Sequence, residues 1–500
     1  MKISLLFLLP AFIFQSILGQ NLKSQIKEFD SYAEKAMVDW KVPGMAVTIV
    51  KDGRVIFKKG YGVRELGKRD VVDTLTLFSC ASTTKAMTAV CMAMLVDEGK
   101  VKWDDPVIKY LPDFILYDPY VTRELQVRDL LIHNSGVGNT DFLVGYMDIS
   151  PDEILNRMRL VKPGYSFRSS FTYQNIFYLA AGKVIEKVSG KSWESFMQER
   201  IFSPLGMDHS YPGPVGITGE NVSKPHFPVH DTIRVIPPEW PPQINPAGGV
   251  KSSIDDMGKW VLCMLDSSKY EKGRLLKPGT WEEIFHPQVI VPAEEFYPTM
   301  QLIKPNWTTY SYGWFQNDYK GRKINFHTGS LGGERSIIAL LPDANMGIYV
   351  FCNYQEAQII HALVYKAFDL FALGGDRDWS KEFLALYHGI KEKGDKAQKE
   401  FESKRVANTS PSRELVEYCG KYTDPLFGEA DVIFKDSCLV FTFNQSPSLT
   451  RISMKHWQYD TFRGEFERPW YGKATAQFFL NTDGKVDKLN FEGMELKKIE

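Results

Sequence analysis

At 500 residues, with 44% hydrophobic and 24% charged side chains, the chain is too long for one small domain and too apolar to be globally disordered. Sixty Lys plus Arg against 61 Asp plus Glu leave a net charge of −1, which argues against a nucleic-acid partner and against a surface that clings to anionic lipid. In chain order, the first segment, 1–19, reads as a secretory signal: Lys2 gives a positive start, Ile3 to Leu18 is almost wholly apolar, and Gly19 is a small residue at the cleavage position. The alternative is an uncleaved anchor, against which Pro10 and the marginal length both count. The expected mature protein is exported, secreted or periplasmic, with no stable membrane insertion. Residues 21–40 have helical periodicity. Gly44 to Val50 reads as a strand, Lys51-Asp52-Gly53 as a hairpin turn, and Arg54 to Phe57 as the return strand. Ser82 to Glu98 is helical in pattern, with Gly99 as its stop.

From about 100 to 245 strand signals are few, and Tyr178 to Glu199 is helical with a break at Ser189-Gly190. Asp255 to Leu265 is an amphipathic helix. Strands return after 320, where Ser336 to Leu341 and Gly347 to Cys352 flank the loop Pro342-Asp343-Ala344-Asn345. Strands at both ends of the first 370 residues and helices between them predict an α/β (α+β) unit over 20–375: one antiparallel sheet flanked by helices, with an all-helical insertion. Asp378 to Arg405 is dense in mixed charge and reads as a solvated connecting helix, giving a linker over 376–408. From 409 to 500 short strands recur between Gly, Asp and Asn, predicting a small all-β barrel or sandwich. Six cysteines without a CxxC give no zinc-ribbon or redox signal, and a Cys419–Cys438 bridge is conceivable. Four sequons, at Asn221, Asn306, Asn408 and Asn444, would matter only in a glycosylating source.

Chemistry concentrates in three motifs. Ser82 and Lys85 lie three residues apart at the entry of the apolar helix, on one face, so a partly neutral lysine can act as base for the serine hydroxyl. SxxK alone is weak, since Ser24/Lys27 shows it too. Tyr173-Gln174-Asn175 is the one Tyr-x-Asn: a tyrosine there can share protons with the lysine, and an asparagine can hold the lysine and a substrate amide. His327-Thr328-Gly329 is the one His-x-Gly, in a Gly-rich stretch whose strand edge could hydrogen-bond an extended substrate.

With these motifs in this order, the chain resembles the serine β-lactamase and penicillin-binding-protein superfamily, in the class C branch that also holds D-stereospecific peptidases and certain esterases. The flanking Pro43-Gly44-Met45-Ala46, His133-Asn134-Ser135-Gly136, Pro204-Leu205-Gly206-Met207 and Ala247-Gly248-Gly249-Val250 match as well. The resemblance covers about residues 25 to 370, and the C-terminal segment is similar to the lipocalin-like barrel appended to some of these hydrolases. It implies a β-lactamase/transpeptidase-like fold and a serine hydrolase without cofactor or metal, acting on a small-molecule or peptide substrate through an acyl-enzyme. Ser82 would be the nucleophile. Lys85 and Tyr173 would manage protons, with the true base left open, and Asn175 would position substrate. His327, Thr328, Gly329 and Ser330 would bind it, and the N–H groups of Ser82 and Ser330 would form the oxyanion hole. The departure is His327 where penicillin-processing members have lysine, which favours peptidase or esterase activity over antibiotic hydrolysis. Arg335 is a candidate replacement cation for a substrate carboxylate, whereas His327 itself would gain charge only as the pH falls toward its ordinary value near 6.5.

Other chemistries find less support. There is no G-x-S-x-G and no HExxH, and the metal-like spacing of His226 and His230 is interrupted by Pro228. The competing class of function is a catalytically idle binding or scaffold protein that keeps the fold.

Overall fold

The computed structural model describes residues 9–145, 147–217, 219–239 and 241–499. The leader expected over 1–19 falls partly on residues 1–8, outside the described residues, and partly on the start of helix α1 (Leu9–Asp39). Among the described residues no helix is long and apolar enough to cross a membrane. Strands β1 (Gly44–Lys51) and β2 (Arg54–Gly62) form the expected hairpin, in which Gly53 has a positive φ at the turn. Helix α2 (Thr84–Asp97) follows the 3₁₀ turn Ala81–Thr83 and is buried from Thr84 through Leu95. Its near-continuous apolar sequence suits a helix with no solvent face. Helix α3 (Ile176–Ser189) ends at Gly190 in the left-handed conformation, where the sequence pattern breaks.

Helices α4 (Asn245–Gly248) and α5 (Ile254–Leu265) bring the chain back to the sheet. Its remaining strands are β3 (Val289–Ile290), β4 (Thr308–Ser311), β5 (Trp314–Tyr319), β6 (Arg322–Leu331), β7 (Glu334–Leu341) and β8 (Met346–Cys352). The spatial order is β3-β4-β5-β6-β7-β8-β1-β2, antiparallel throughout, so the two ends of this unit meet where β8 pairs with β1. Strand β1 lies inside the sheet, between β8 and the edge strand β2, and is buried along almost its whole length, which accounts for its unbroken run Met45-Ala46-Val47-Thr48-Ile49-Val50. One face packs on α2 and α5; the other packs on α1 and α6 (Ile359–Phe368).

Helix α7 (Trp379–Ser403) corrects the expectation of a solvated connector. Trp379 and Phe383 are fully buried among Tyr319, Tyr365 and the α1–α6 layer, and Trp379 Nε1 donates to Asp369 (2.9 Å). Only the half beyond Ile390 is solvated, because its apolar residues thin out while its charges continue. The C-terminal strands β9 (Gly420–Asp424), β10 (Gly428–Lys435), β11 (Cys438–Phe443), β12 (Ile452–Gln458), β13 (Thr461–Phe466), β14 (Lys473–Leu480), β15 (Val486–Phe491) and β16 (Met494–Lys498) close into a barrel, β16 pairing back with β9. Closure leaves no free sheet edge. Cys419 and Cys438 are both free thiols, as are the other four cysteines, so the conceivable bridge does not form.

Because Trp379 is core and the far half of α7 is not, Trp379→Ala is expected to cost about 3–5 kcal/mol of stability. Lys396→Ala should stay within about 0.5 kcal/mol. Urea denaturation of both proteins checks the contrast.

Candidate active site

The site forms where α2 begins. Strand β6 pairs with β5 only as far as Phe326, so 327–331 have no partner from β5 on that side. On its other side β6 pairs with β7 out to Leu331 and Glu334. This stretch lies against the turn that carries Ser82: a Cβ placed on Gly329 would lie 2.2 Å from Ser336 Oγ and 2.3 Å from the Cys80 carbonyl. Only glycine permits that approach. Ser336 Oγ donates to the same Cys80 carbonyl (2.6 Å). Ala81, immediately before Ser82, has φ 47°, a strained value for a residue with a side chain.

Ser82 is half-buried and Lys85 is fully buried. The Lys85 amine donates to Ser82 Oγ (3.1 Å), Asn175 Oδ1 (2.7 Å) and the Ala247 carbonyl (2.9 Å). It also stands over the rings of Tyr173 (4.7 Å to the centroid) and Tyr178 (5.2 Å). Burial lowers its pKa to about 7, against a smaller upward pull from Asp141. The Tyr173 hydroxyl is buried beside Ser82, with no partner in good hydrogen-bond geometry among the described residues. Burial pushes its pKa well above the ordinary value, and the neighbouring Ser82 hydroxyl offsets part of that rise. The phenol is therefore neutral and can donate a proton.

The Tyr-x-Asn loop is held from behind. The Gln174 N–H donates to His133 Nδ1 (3.0 Å), and its side chain binds the Val137 carbonyl (2.9 Å), the Gly138 carbonyl and Thr140. Burial keeps His133 neutral, so its ring nitrogen can accept. Asn175 Nδ2 donates to Asp141 Oδ1 (2.8 Å). Asp141 and the Ala247 carbonyl were not legible in the sequence. The first lies 34 residues before Asn175 on a loop, and the second acts through backbone.

His327 corrects an expectation. Its ring is 1% exposed, Nε2 meets the Tyr310 hydroxyl (3.0 Å), and Nδ1 meets the Thr328 carbonyl (2.7 Å). Burial, with the nearby Lys85 adding to it, lowers its pKa to about 3. It does not gain charge near pH 6, and neither ring nitrogen is left for a substrate carboxylate. Thr328 is also buried, its hydroxyl bonded to Tyr297 (2.7 Å), whereas Ser330 is exposed at the strand edge. Arg335, opposite Ser330 on β7, donates through Nε to the Gln355 carbonyl (2.8 Å). His226 and His230 do not converge: the ring of His226 bonds the Asn353 carbonyl and the Leu66 N–H, and that of His230 bonds Glu465. Among the described residues no three His, Cys, Asp or Glu side chains cluster as metal ligands.

A half-buried serine beside a buried lysine, under a glycine-pinned strand edge, is the arrangement that the motifs implied, and comparison with known proteins gives the same class. The β-lactamase family model matches residues 29–361, and a domain of unknown function, DUF3471, matches 404–500. The chain belongs to the β-lactamase family. It is 26% identical over 434 residues to an unguisins hydrolase of Aspergillus campestris, across 82% of this chain and 78% of that protein. It is 25% identical over 361 residues to the flp protein of Staphylococcus aureus strain MW2, across 67% of this chain and 64% of that one. In fold it is similar to an octameric penicillin-binding protein homologue from Pyrococcus abyssi, with TM-score 0.61, 24% identity, and coverage of 95% of this chain and 100% of that one.

The field of Asp141 opposes the burial of Lys85. Asp141→Asn preserves the oxygen that Asn175 binds but removes the charge. It is therefore expected to move the ascending, acidic limb of any Lys85-dependent pH profile to lower pH, as a kcat/KM titration in both proteins would read.

Proposed function

We propose that the chain is a serine hydrolase that cleaves amide or ester bonds through a Ser82 acyl-enzyme. The observation that carries this reading is the Lys85 amine, fully buried, with its pKa near 7 and 3.1 Å from Ser82 Oγ. A base poised near neutrality is what general-base catalysis needs. In the proposed sequence neutral Lys85 takes the Ser82 proton as Oγ bonds to the substrate carbonyl carbon. The developing oxyanion is received by the N–H groups of Ser82 and Ser330. Tyr173, a neutral phenol in contact with the same lysine, passes a proton to the leaving nitrogen or oxygen as that bond breaks, and is reprotonated from Lys85. Water, deprotonated by the same groups, then releases the acid from Ser82. Assigning Lys85 as base follows from the opposite shifts of the pair: burial favours the neutral form of each, and only the neutral amine has a lone pair of the required basicity. The A. campestris relative is named a hydrolase, which supports the class. D-amino-acid peptides and small esters are the substrates that the class C resemblance favours, and the apolar leader over 1–19 supports export.

Ser82→Ala is expected to abolish labelling by a fluorophosphonate probe and to lower ester turnover at least about a thousandfold. Ser24→Ala should change neither. In wild type, kcat/KM should rise with pH through about 7 and level off above it, because lysine is a base only once deprotonated. Full turnover in the Ser82 variant would sink the mechanism and favour an idle scaffold.

With His327 neutral, the preference for a free-acid substrate over its matched ester should be flat from about pH 5.5 to 8.5. Any such preference should instead fall several-fold in Arg335→Gln, the scale of about 1 kcal/mol for a partly wet charge pair. Paired kcat/KM measurements across that range decide between the two cations.

A further inference from the structure

The C-terminal barrel touches two segments that flank the Ser82–Lys85 site, here called the two walls of its cleft, and it does so with loops from one end. On one wall, Glu239 Oε1 accepts three hydrogen bonds from the β13–β14 connection: Arg468 Nη1 (2.9 Å), Trp470 Nε1 (2.8 Å) and Tyr471 OH (2.9 Å). Glu239 lies eight residues before Ala247, whose carbonyl holds the Lys85 amine. The other oxygen of Glu239 lies against the β6–β7 turn: a Cβ built on Gly332, two residues past Ser330, would be 3.0 Å from Oε2. One carboxylate thus joins the barrel, the segment that leads to α4 and the turn beyond the exposed end of β6.

On the opposite wall the β9–β10 connection does the corresponding work. The Phe427 ring packs on Phe142 (4.8 Å between centroids), and the Leu426 carbonyl accepts from Arg157 Nη1 (3.0 Å). Phe142 adjoins Asp141, which holds Asn175. The two barrel loops are therefore fastened to the two segments that hold the proton-transfer groups in place, one carrying Ala247 and the other Asp141. Helix α7 tethers the barrel to the sheet unit through the buried Trp379 and Phe383.

We propose that the barrel is the roof of the active-site cleft and limits substrate by size, with Glu239 as the latch that holds it down. The inference rests on the serine hydrolase reading and narrows its substrate class to compact molecules, such as short peptides and small esters, over polymers and folded proteins. A polymer would have to part the barrel from at least one wall. On the Glu239 wall that breaks hydrogen bonds to a carboxylate, which are among the stronger ones a protein makes.

The test uses the full chain and one fluorophosphonate warhead carried on a short alkyl chain or on a dextran. Glu239→Ala removes the latch. Gly332→Ala pushes the carboxylate aside from the turn, and Phe427→Ala frees the other wall. Each is expected to raise the dextran-to-alkyl ratio of Ser82 labelling rates, Glu239→Ala by about tenfold, the scale on which losing hydrogen bonds to a charged group shifts an open–closed equilibrium, and the other two by less. Glu239→Gln, which retains an acceptor oxygen of the same reach, should stay closer to wild type than Glu239→Ala. An unchanged ratio in all three variants, with the alkyl probe still reacting at Ser82, overturns the roof while leaving the hydrolase reading intact. Failure of the alkyl probe to label wild-type Ser82 would overturn the hydrolase reading, and this inference with it.

Discussion

The Lys85 amine is fully buried and has no ion pair with a carboxylate among the described residues, and much of the molecule is arranged to make that tolerable. An ammonium of this kind is costly to bury unless its protons find acceptors. Three acceptors meet it from segments far apart in sequence: Ser82 from the turn before α2, Asn175 from the turn before α3, and Ala247 from α4. Two aromatic faces add weaker support. None of these suffices to hold a full charge, so burial brings the pKa down to about 7 and leaves a free lone pair on the amine near neutral pH.

Each acceptor needs its own scaffold. Thr88 Oγ1 donates to the Pro246 carbonyl (2.7 Å), which ties α4 to the middle of α2. Gln174 and Asp141 fix the Tyr-x-Asn loop from behind. The glycine of the His-x-Gly motif works by absence, since any side chain at 329 would drive β6 away from Cys80 and open the gap beside Ser82. The histidine of that motif works as a buried crossbrace between Tyr310 and the strand backbone, so its position in the motif carries no charge to the substrate.

What the sequence made legible follows from how local each signal is. The Ser82/Lys85 spacing, the β1–β2 hairpin and the stop of α3 at Gly190 are short-range patterns with a direct stereochemical meaning, and they correspond to what the structure contains. The antiparallel sheet flanked by helices and the all-β C-terminal unit were legible in the order of strands and helices, and the β-lactamase-like fold in the resemblance that the three motifs carry. Burial was not. Nothing in the sequence around His327 reveals that Tyr310 will reach its ring, and nothing in α7 separates a buried first half from a solvated second half except Trp379 and Phe383. The short strands β3 and β4 carry too few residues to show a period. Closure of the barrel pairs β9 with β16 across the whole segment, and no local pattern encodes such a contact.

A second lysine near the site shows what sets Lys85 apart. Lys251 is also nearly buried, on the short strand beside the Ser82 turn. It too donates to a serine, Ser79 (3.0 Å), but its amine lies 3.6 Å from the Glu334 carboxylate, which itself accepts from Ser79 (2.6 Å). That serine is 1% exposed and already committed as a donor, so it has no route to a substrate. Both clusters pair a lysine with a serine; the difference lies in the counter-charge. Lys251 meets its carboxylate directly and serves to pin the start of β7 to the Ser82 turn. Lys85 meets Asp141 only through Asn175, which transmits hydrogen bonding but keeps the negative charge one residue away. An aspartate in place of Asn175 would stabilise the ammonium and take away the neutral amine. The asparagine of the Tyr-x-Asn motif is thus explained by the charge it lacks as much as by the bond it makes.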